Sequence, residues 1–176
     1  RRGYTRCPES LFRVMRRLGM FPDPKPKKTY KPKPYEQMDY PGQRIQVDVK
    51  FVPSACLKNP KVIGKQFFQY TAIDEYSRWR FVEAFEEHNT YSSAMFIEHL
   101  VKAFPLPIQC IQTDNGAEFT NRFTTHRDKP TLFQVHLKQH GICHKVIRPF
   151  TPRHNGEVER SHRKDNERFY ATHTFY

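Results

Sequence analysis

Acidic residues are scarce in this chain: 18 Asp and Glu stand against 30 Lys and Arg in 176 residues, a formal net charge of +12. The shortage is uneven, because residues 1–34 hold eleven of the basic residues and only two acids. A basic arm of this kind implies a polyanionic partner and binding that weakens steeply with salt. Long apolar runs are missing as well. No stretch approaches bilayer-spanning length and none has the pattern of a signal peptide, so nucleic acid is favoured over a membrane surface as the polyanion. Cysteine is sparse: Cys7, Cys56, Cys110 and Cys143 lie far apart without CxxC spacing, which argues against a zinc ribbon or a disulfide scaffold and for a reducing cytosol. His136, His140 and His144 recur at four-residue intervals beside Cys143, but Gly141 interrupts the helix that would align them, and structural or exposed histidines are the simpler reading than a metal site. An initiating Met is absent, and we read the chain as a piece of a longer protein. Its length suits one domain plus appendages, and 37% hydrophobic content supports a core of ordinary size.

What is present falls into three parts, residues 1–20, 21–41 and 42–176. In the first, Leu11, Val14, Met15 and Leu18 recur at helical spacing, with Ser10 as a candidate N-cap and Gly19 as a stop; a solvated amphipathic helix is one reading. The second alternates proline with lysine, reading as an extended linker. It serves either as a spacer or, through Lys25, Lys27, Lys28, Lys31 and Lys33, as a track for a phosphate backbone.

The third part carries the periodicities of a core. Strands are expected over Arg44–Val52, Gln66–Ile73 and Trp79–Phe85, forming an antiparallel meander through the turn DEYSR. A helix over Ser92–Phe104, ended by Pro105, leads to a strand over Ile108–Thr113; this strand–helix–strand crossover implies a parallel pair. A helix over Thr131–His140, a strand over Cys143–Ile147 and a last helix from about Asn155 to Tyr170 complete it. The last helix has few apolar residues, so it is either solvated or lies across the sheet edge facing a ligand.

Three carboxylates stand out. Asp48 is in mid-strand, where an acid is costly unless paired or metal-bound. Asp114 opens an Asp-Asn-Gly turn directly after a strand, at the carboxyl end where α/β sites form, and the crossover sets it beside Asp48. Glu159 stands early in the last helix. Asp74 and Glu75 fit a hairpin, Glu118 the first turn of a short helix, and Asp128 an exposed insertion, so each has a structural explanation. Glu157 and Glu159 are about 200° apart on a helix, so only one can face the Asp pair. With Asn155 as N-cap, Glu157 falls in the first turn, where the helix dipole already suits an acid.

IQVDVKFV with Asp48, IQTDNGAEF with Asp114 and HNGEVERSHRK with Glu159 together resemble the catalytic core of DDE transposases and retroviral-type integrases, the bacterial insertion-sequence transposases in particular. The likeness covers about residues 42–170. It departs in the interval between Asp114 and Glu159, which is longer than usual, and the polar segment Arg122–Pro130 reads as the insertion responsible. The resemblance implies an α/β, RNase H-like fold: a mixed five-stranded sheet flanked by helices, preceded by the end of a helix-turn-helix region and the basic linker. It also implies Asp48, Asp114 and Glu159 as catalytic residues holding two Mg²⁺ or Mn²⁺ ions, and all-oxygen ligands do select hard divalent cations. The implied reaction is DNA end cleavage followed by strand transfer by a 3′-hydroxyl. The partners would be mobile-element ends and target DNA, bound by a homo-oligomer in a synaptic complex, without a membrane, in bacterial cytoplasm at the nucleoid. Asn115, His154, Asn155, Arg160, Arg163 and Lys164 are placed to meet phosphates or bases. Two alternatives stay open: a hydrolytic RNase H-like nuclease, which would never join a DNA end to another duplex, and a non-catalytic DNA-binding module, which would show no dependence on divalent metal.

Overall fold

The computed structural model describes residues 7–22, 36–147 and 155–175, in two compact units, Arg1–Tyr35 and Glu36–Tyr176. The linker lysines from Lys25 to Lys33 and His154 lie outside the described residues.

The first unit holds helix α1, Pro8–Arg17. It starts two residues before the expected Ser10 cap because Pro8 occupies the first turn, where a missing N–H costs nothing. It ends at Gly19, whose φ of +65° is left-handed backbone that glycine adopts without strain. None of its residues is buried.

The second unit is built on a mixed sheet of strands β1 (Ile45–Phe51), β2 (Phe68–Asp74), β3 (Arg80–Phe85), β4 (Cys110–Thr113) and β5 (Cys143–Val146), in the order β3-β2-β1-β4-β5. The first three are antiparallel, whereas β1, β4 and β5 run parallel. Alternation in β1 sends Ile45 and Val47 into the main core and turns Gln46, Asp48 and Lys50 to the other face. On the core face lie α2 (Thr90–Ala103) and α3 (Leu132–Gln139). Asn89 caps α2 by accepting from the Ser92 N–H at 2.8 Å, and Phe96, Ile97 and Leu100 pack inward with Tyr70, Ile111 and Phe133. Thr131 and Gln134 form a capping box at the start of α3. Glu36 and Tyr40, read from sequence as linker, bond to the core: Arg44 donates to Glu36 at 2.7 Å, and the Tyr40 hydroxyl to Gln109 at 2.8 Å.

Helix α4 (Gly156–Asp165) differs from expectation in two ways. It packs on the face of the sheet against β1 and β2, not across an edge. From Asn166 to Tyr170 it continues as a π-helical turn. Its thin apolar content has a physical reason, since the face beneath it is polar. Val158 is fully buried there, and hydrogen bonds add to its hold. Lys50 donates to the His162 carbonyl at 3.2 Å and to Asn166 at 2.7 Å; Gln69 donates to Asp165 at 2.7 Å; Arg80 also pairs with Asp165. Segment 122–130 is exposed turn structure closed at its neck by Asn121 donating to the Lys129 carbonyl.

Candidate active site

The parallel register of β1 and β4 fixes the first relationship in the site. Ile45 pairs with Ile111 and Gln46 with Gln112, so the same register, continued two residues, sets Asp114 opposite Asp48. Both carboxylates are held locally. The Val49 N–H donates to Asp48 Oδ1 at 2.9 Å, and the Gly116 N–H to Asp114 Oδ1 at 2.9 Å, the latter closing the turn read from Asp-Asn-Gly.

Glu159 enters from α4. Three stripes run along that helix. Val158, His162 and Asp165 face the sheet, Glu157, Arg160, Ser161 and Lys164 lie on one flank, and Glu159 and Arg163 lie on the other. Glu157 pairs with Arg78 at 2.8 Å, whereas Glu159 is exposed and acts electrostatically on Asp48.

The Asp48 carboxyl is pushed up to about 7, first by burial and then by the negative charges of Asp114, Glu159 and Glu118, against the lowering effect of the Val49 N–H. His162 is the residue that sequence reasoning missed. Its Nδ1 stands 3.6 Å from Asp48 Oδ2, and its Nε2 is buried without a partner. Burial, with Lys50 adding to it, pushes this imidazole down to about 4, so it is neutral at pH 7. The available signal was its position one turn after Val158, which puts both on the sheet-facing stripe.

Glu118 also differs from expectation. It sits in a turn, not a helix, is almost fully buried, and pairs with His88 Nε2 at 2.7 Å. Asp74 is fully buried and pins the β2–β3 hairpin by accepting from the Ser77 N–H at 2.7 Å, while Glu75 is buried against Arg44 at 2.7 Å. The three four-spaced histidines part company. His136 and His140 both meet Glu98, at 2.7 and 2.8 Å, and His144 turns inward to Thr113 at 2.9 Å.

Of the polar residues assigned to DNA, Arg160, Arg163 and Lys164 are exposed. Asn115 is used within the fold: it donates to the Ile147 carbonyl at 2.9 Å and accepts from Arg122 at 3.3 Å. Asn155 is buried with its Oδ1 unpartnered and makes no side-chain cap, so the expected N-cap bond is not formed.

Among the described residues, no group of three His, Cys, Asp or Glu side chains is gathered closely enough to hold a metal ion, and no helix is long and apolar enough to cross a membrane. The donor chemistry at Asp48, Asp114 and Glu159 nevertheless fits a hard divalent cation. All three supply carboxylate oxygens, and part of the shift at Asp48 is like-charge repulsion that a cation would relieve.

Residues 39–152 match the model of the integrase core domain, rve. The chain belongs to the integrase core domain family. The matched residues include Asp48 and Asp114 and end before Glu159. Among curated relatives, the integrase-named ORF3 product of Spiroplasma virus SpV1-C74 is 28% identical over 133 residues, covering 71% of this chain and 35% of the viral protein. The retrovirus-related Pol polyprotein of transposon RE2 from Arabidopsis thaliana is 30% identical over 93 residues, covering 52% of the chain and 6% of the polyprotein. The chain thus spans about a third of the viral relative and far less of the polyprotein. The fold is similar to that of a chain in the simian T-cell lymphotropic virus intasome in complex with the PP2A regulatory subunit B56 gamma, with a TM-score of 0.64 at 17% identity over 83% of this chain and 46% of that one. The HTLV-2 integrase catalytic core in complex with magnesium, in a dimeric form, matches with a TM-score of 0.52 at 18% identity over 72% of this chain and 69% of that one. The mixed five-stranded α/β fold and the membership of the integrase core family read from sequence are therefore established.

Proposed function

We propose that this core carries out metal-dependent cleavage of mobile-element DNA ends and their transfer into target DNA, with Asp48, Asp114 and Glu159 as its catalytic residues. The observation that carries the reading is the register setting Asp114, just past the end of β4, opposite Asp48 in the middle of β1, with Glu159 on α4 close enough for its charge to raise the Asp48 carboxyl. The three carboxylates would hold two Mg²⁺ or Mn²⁺ ions, which when bound supply activation of the attacking water or 3′-hydroxyl and neutralise the leaving oxygen. The residues themselves do the positioning. The two Asp carboxylates are fixed by the backbone N–H groups of Val49 and Gly116, and Glu159 is carried by a helix bonded to the sheet through Lys50, Gln69 and Asp165. Arg160, Arg163 and Lys164 meet DNA phosphates beside the reacting bond, and the lysines from Lys25 to Lys33 add sequence-independent attraction. The ends are held by a homo-oligomer in a synaptic complex in bacterial cytoplasm.

The test is a strand-transfer assay with Mn²⁺ and a pre-cut element end. Glu159→Gln abolishes transfer without lowering the melting temperature, while Glu157→Gln retains substantial activity. A dead Glu157→Gln beside an active Glu159→Gln overturns the assignment.

A further inference from the structure

We infer that the cleft between the β2–β3 hairpin and the outer flank of α4 is a phosphate-binding subsite for DNA, with Arg78 as a dedicated ligand. This rests on the reading that the domain acts on DNA and goes beyond it, because it assigns hairpin residues remote from the carboxylate triad.

The cleft has a volume of about 400 Å³, within the usual range of roughly 300–1,000 Å³ for ligand sites. Arg78 and Arg80 line it from the hairpin, and Arg160, Ser161 and Lys164 from α4. Glu157 is the sole acid among its lining residues. Arg78 pairs with Glu157 and Arg80 with Asp165, so Arg160 and Lys164 give the concave surface an excess of positive charge, where the field is focused. Among the described residues, Arg160 and Lys164 have no ion-pair partner. Arg80 is fixed through Asp165, which turns its guanidinium into a rigid wall of the cleft.

The second, independent observation is backbone strain. Arg78 has φ of +64°, and it is the one non-glycine residue with positive φ among those described. The hairpin is pinned around it: Asp74 accepts from the Ser77 N–H and hydroxyl, the Arg78 N–H donates to the Asp74 carbonyl at 3.0 Å, and the Asp74 N–H donates to the Trp79 carbonyl at 3.0 Å. Glycine fits this position without cost, so an arginine held there points to use of its side chain. The Arg78 side chain is 56% exposed and reaches into the cleft, where Glu157 holds it at 2.8 Å. A planar, always-charged guanidinium can exchange one carboxylate for a phosphate with the same two-pronged geometry. Glu157 is then a placeholder that keeps Arg78 aimed until DNA arrives.

The experiment measures anisotropy of a labelled 20-base-pair duplex with the chain in EDTA, across a salt series, so that binding is read without metal. Arg78→Gly lowers the slope of log affinity against log salt by about 1 and weakens binding several-fold, with the melting temperature unchanged or raised. Glu157→Gln, which removes the competing carboxylate, tightens binding. A slope for Arg78→Gly equal to wild type, or weakened binding by Glu157→Gln, overturns the subsite. If the slope is unchanged while the wild type transfers strands, only the subsite fails; if the slope falls in a chain inert with every divalent metal, the subsite stands and the catalytic reading fails.

Discussion

The imidazole of His162 stands 3.6 Å from the Asp48 carboxylate, brought there by a helix more than a hundred residues further along the chain. Its other nitrogen is buried and unpartnered, so the fold loses no hydrogen bond if the ring is replaced by a hydrocarbon of similar shape. Groups bordering a metal ligand commonly alter affinity 10–100-fold when removed. We therefore expect His162→Phe to fold normally yet need about tenfold more Mn²⁺ for half-maximal strand transfer, as read from a metal titration.

Asp48→Asn should stabilise the metal-free protein. The folded carboxyl is raised from 3.8 to about 7, so the folded state binds its proton more tightly than the unfolded state, and stability falls as pH rises from about 4 to 7. Above pH 7 the ionised group costs the fold on the order of 4 kcal/mol, which the amide removes. Calorimetry at pH 8 should show a higher melting temperature for the variant, and added Mg²⁺ should stabilise the wild type only.

His144 sets a second pH dependence of opposite sense. Burial against Phe133 and Thr113 pushes it from 6.5 down to about 4, so only the unfolded chain takes up a proton between those values. Stability is fully present above pH 6.5 and is lost as pH falls toward 4, by about 2–3 kcal/mol. Urea titrations at pH 7 and pH 4.5 should show this loss, with His144→Gln flattening it.

Val158→Ala probes the hold of α4 on the sheet. Val158 is fully buried and is the main apolar contact of that helix, so truncation should cost about 1–2 kcal/mol and loosen the element that carries Glu159. We expect kcat for strand transfer to fall several-fold while DNA affinity in EDTA is nearly unchanged.

Local signals reached Asp48 and Asp114 because each rests on a short-range rule: alternation along a strand for one, an Asp-Asn-Gly turn after an apolar run for the other. The strand–helix–strand crossover then made them neighbours. Glu159 was separable from Glu157 by helix geometry, although the expected reason, an Asn155 cap, is not what the structure uses; Glu157 is taken by Arg78. The position of α4 was misjudged because its polar composition suited solvent or a ligand at the sheet edge, not the sheet face. Only the tertiary fold reveals that Gln46, Asp48, Lys50 and Gln69 make the opposing face polar as well. His162 and Arg78 were invisible for the same reason, since one depends on a distant strand and the other on a backbone angle.

The clip at the end of the described chain sets a schedule for synthesis. Phe175 donates its N–H to the Cys56 carbonyl at 2.7 Å and bridges to Leu57, so the segment after β1 is secured by residues made more than a hundred positions later. At about 5–20 residues per second, Asp48 waits roughly 5–20 s for Glu159 to be made. On this topology Asp48, Asp114 and Glu159 come together only once α4 has been made.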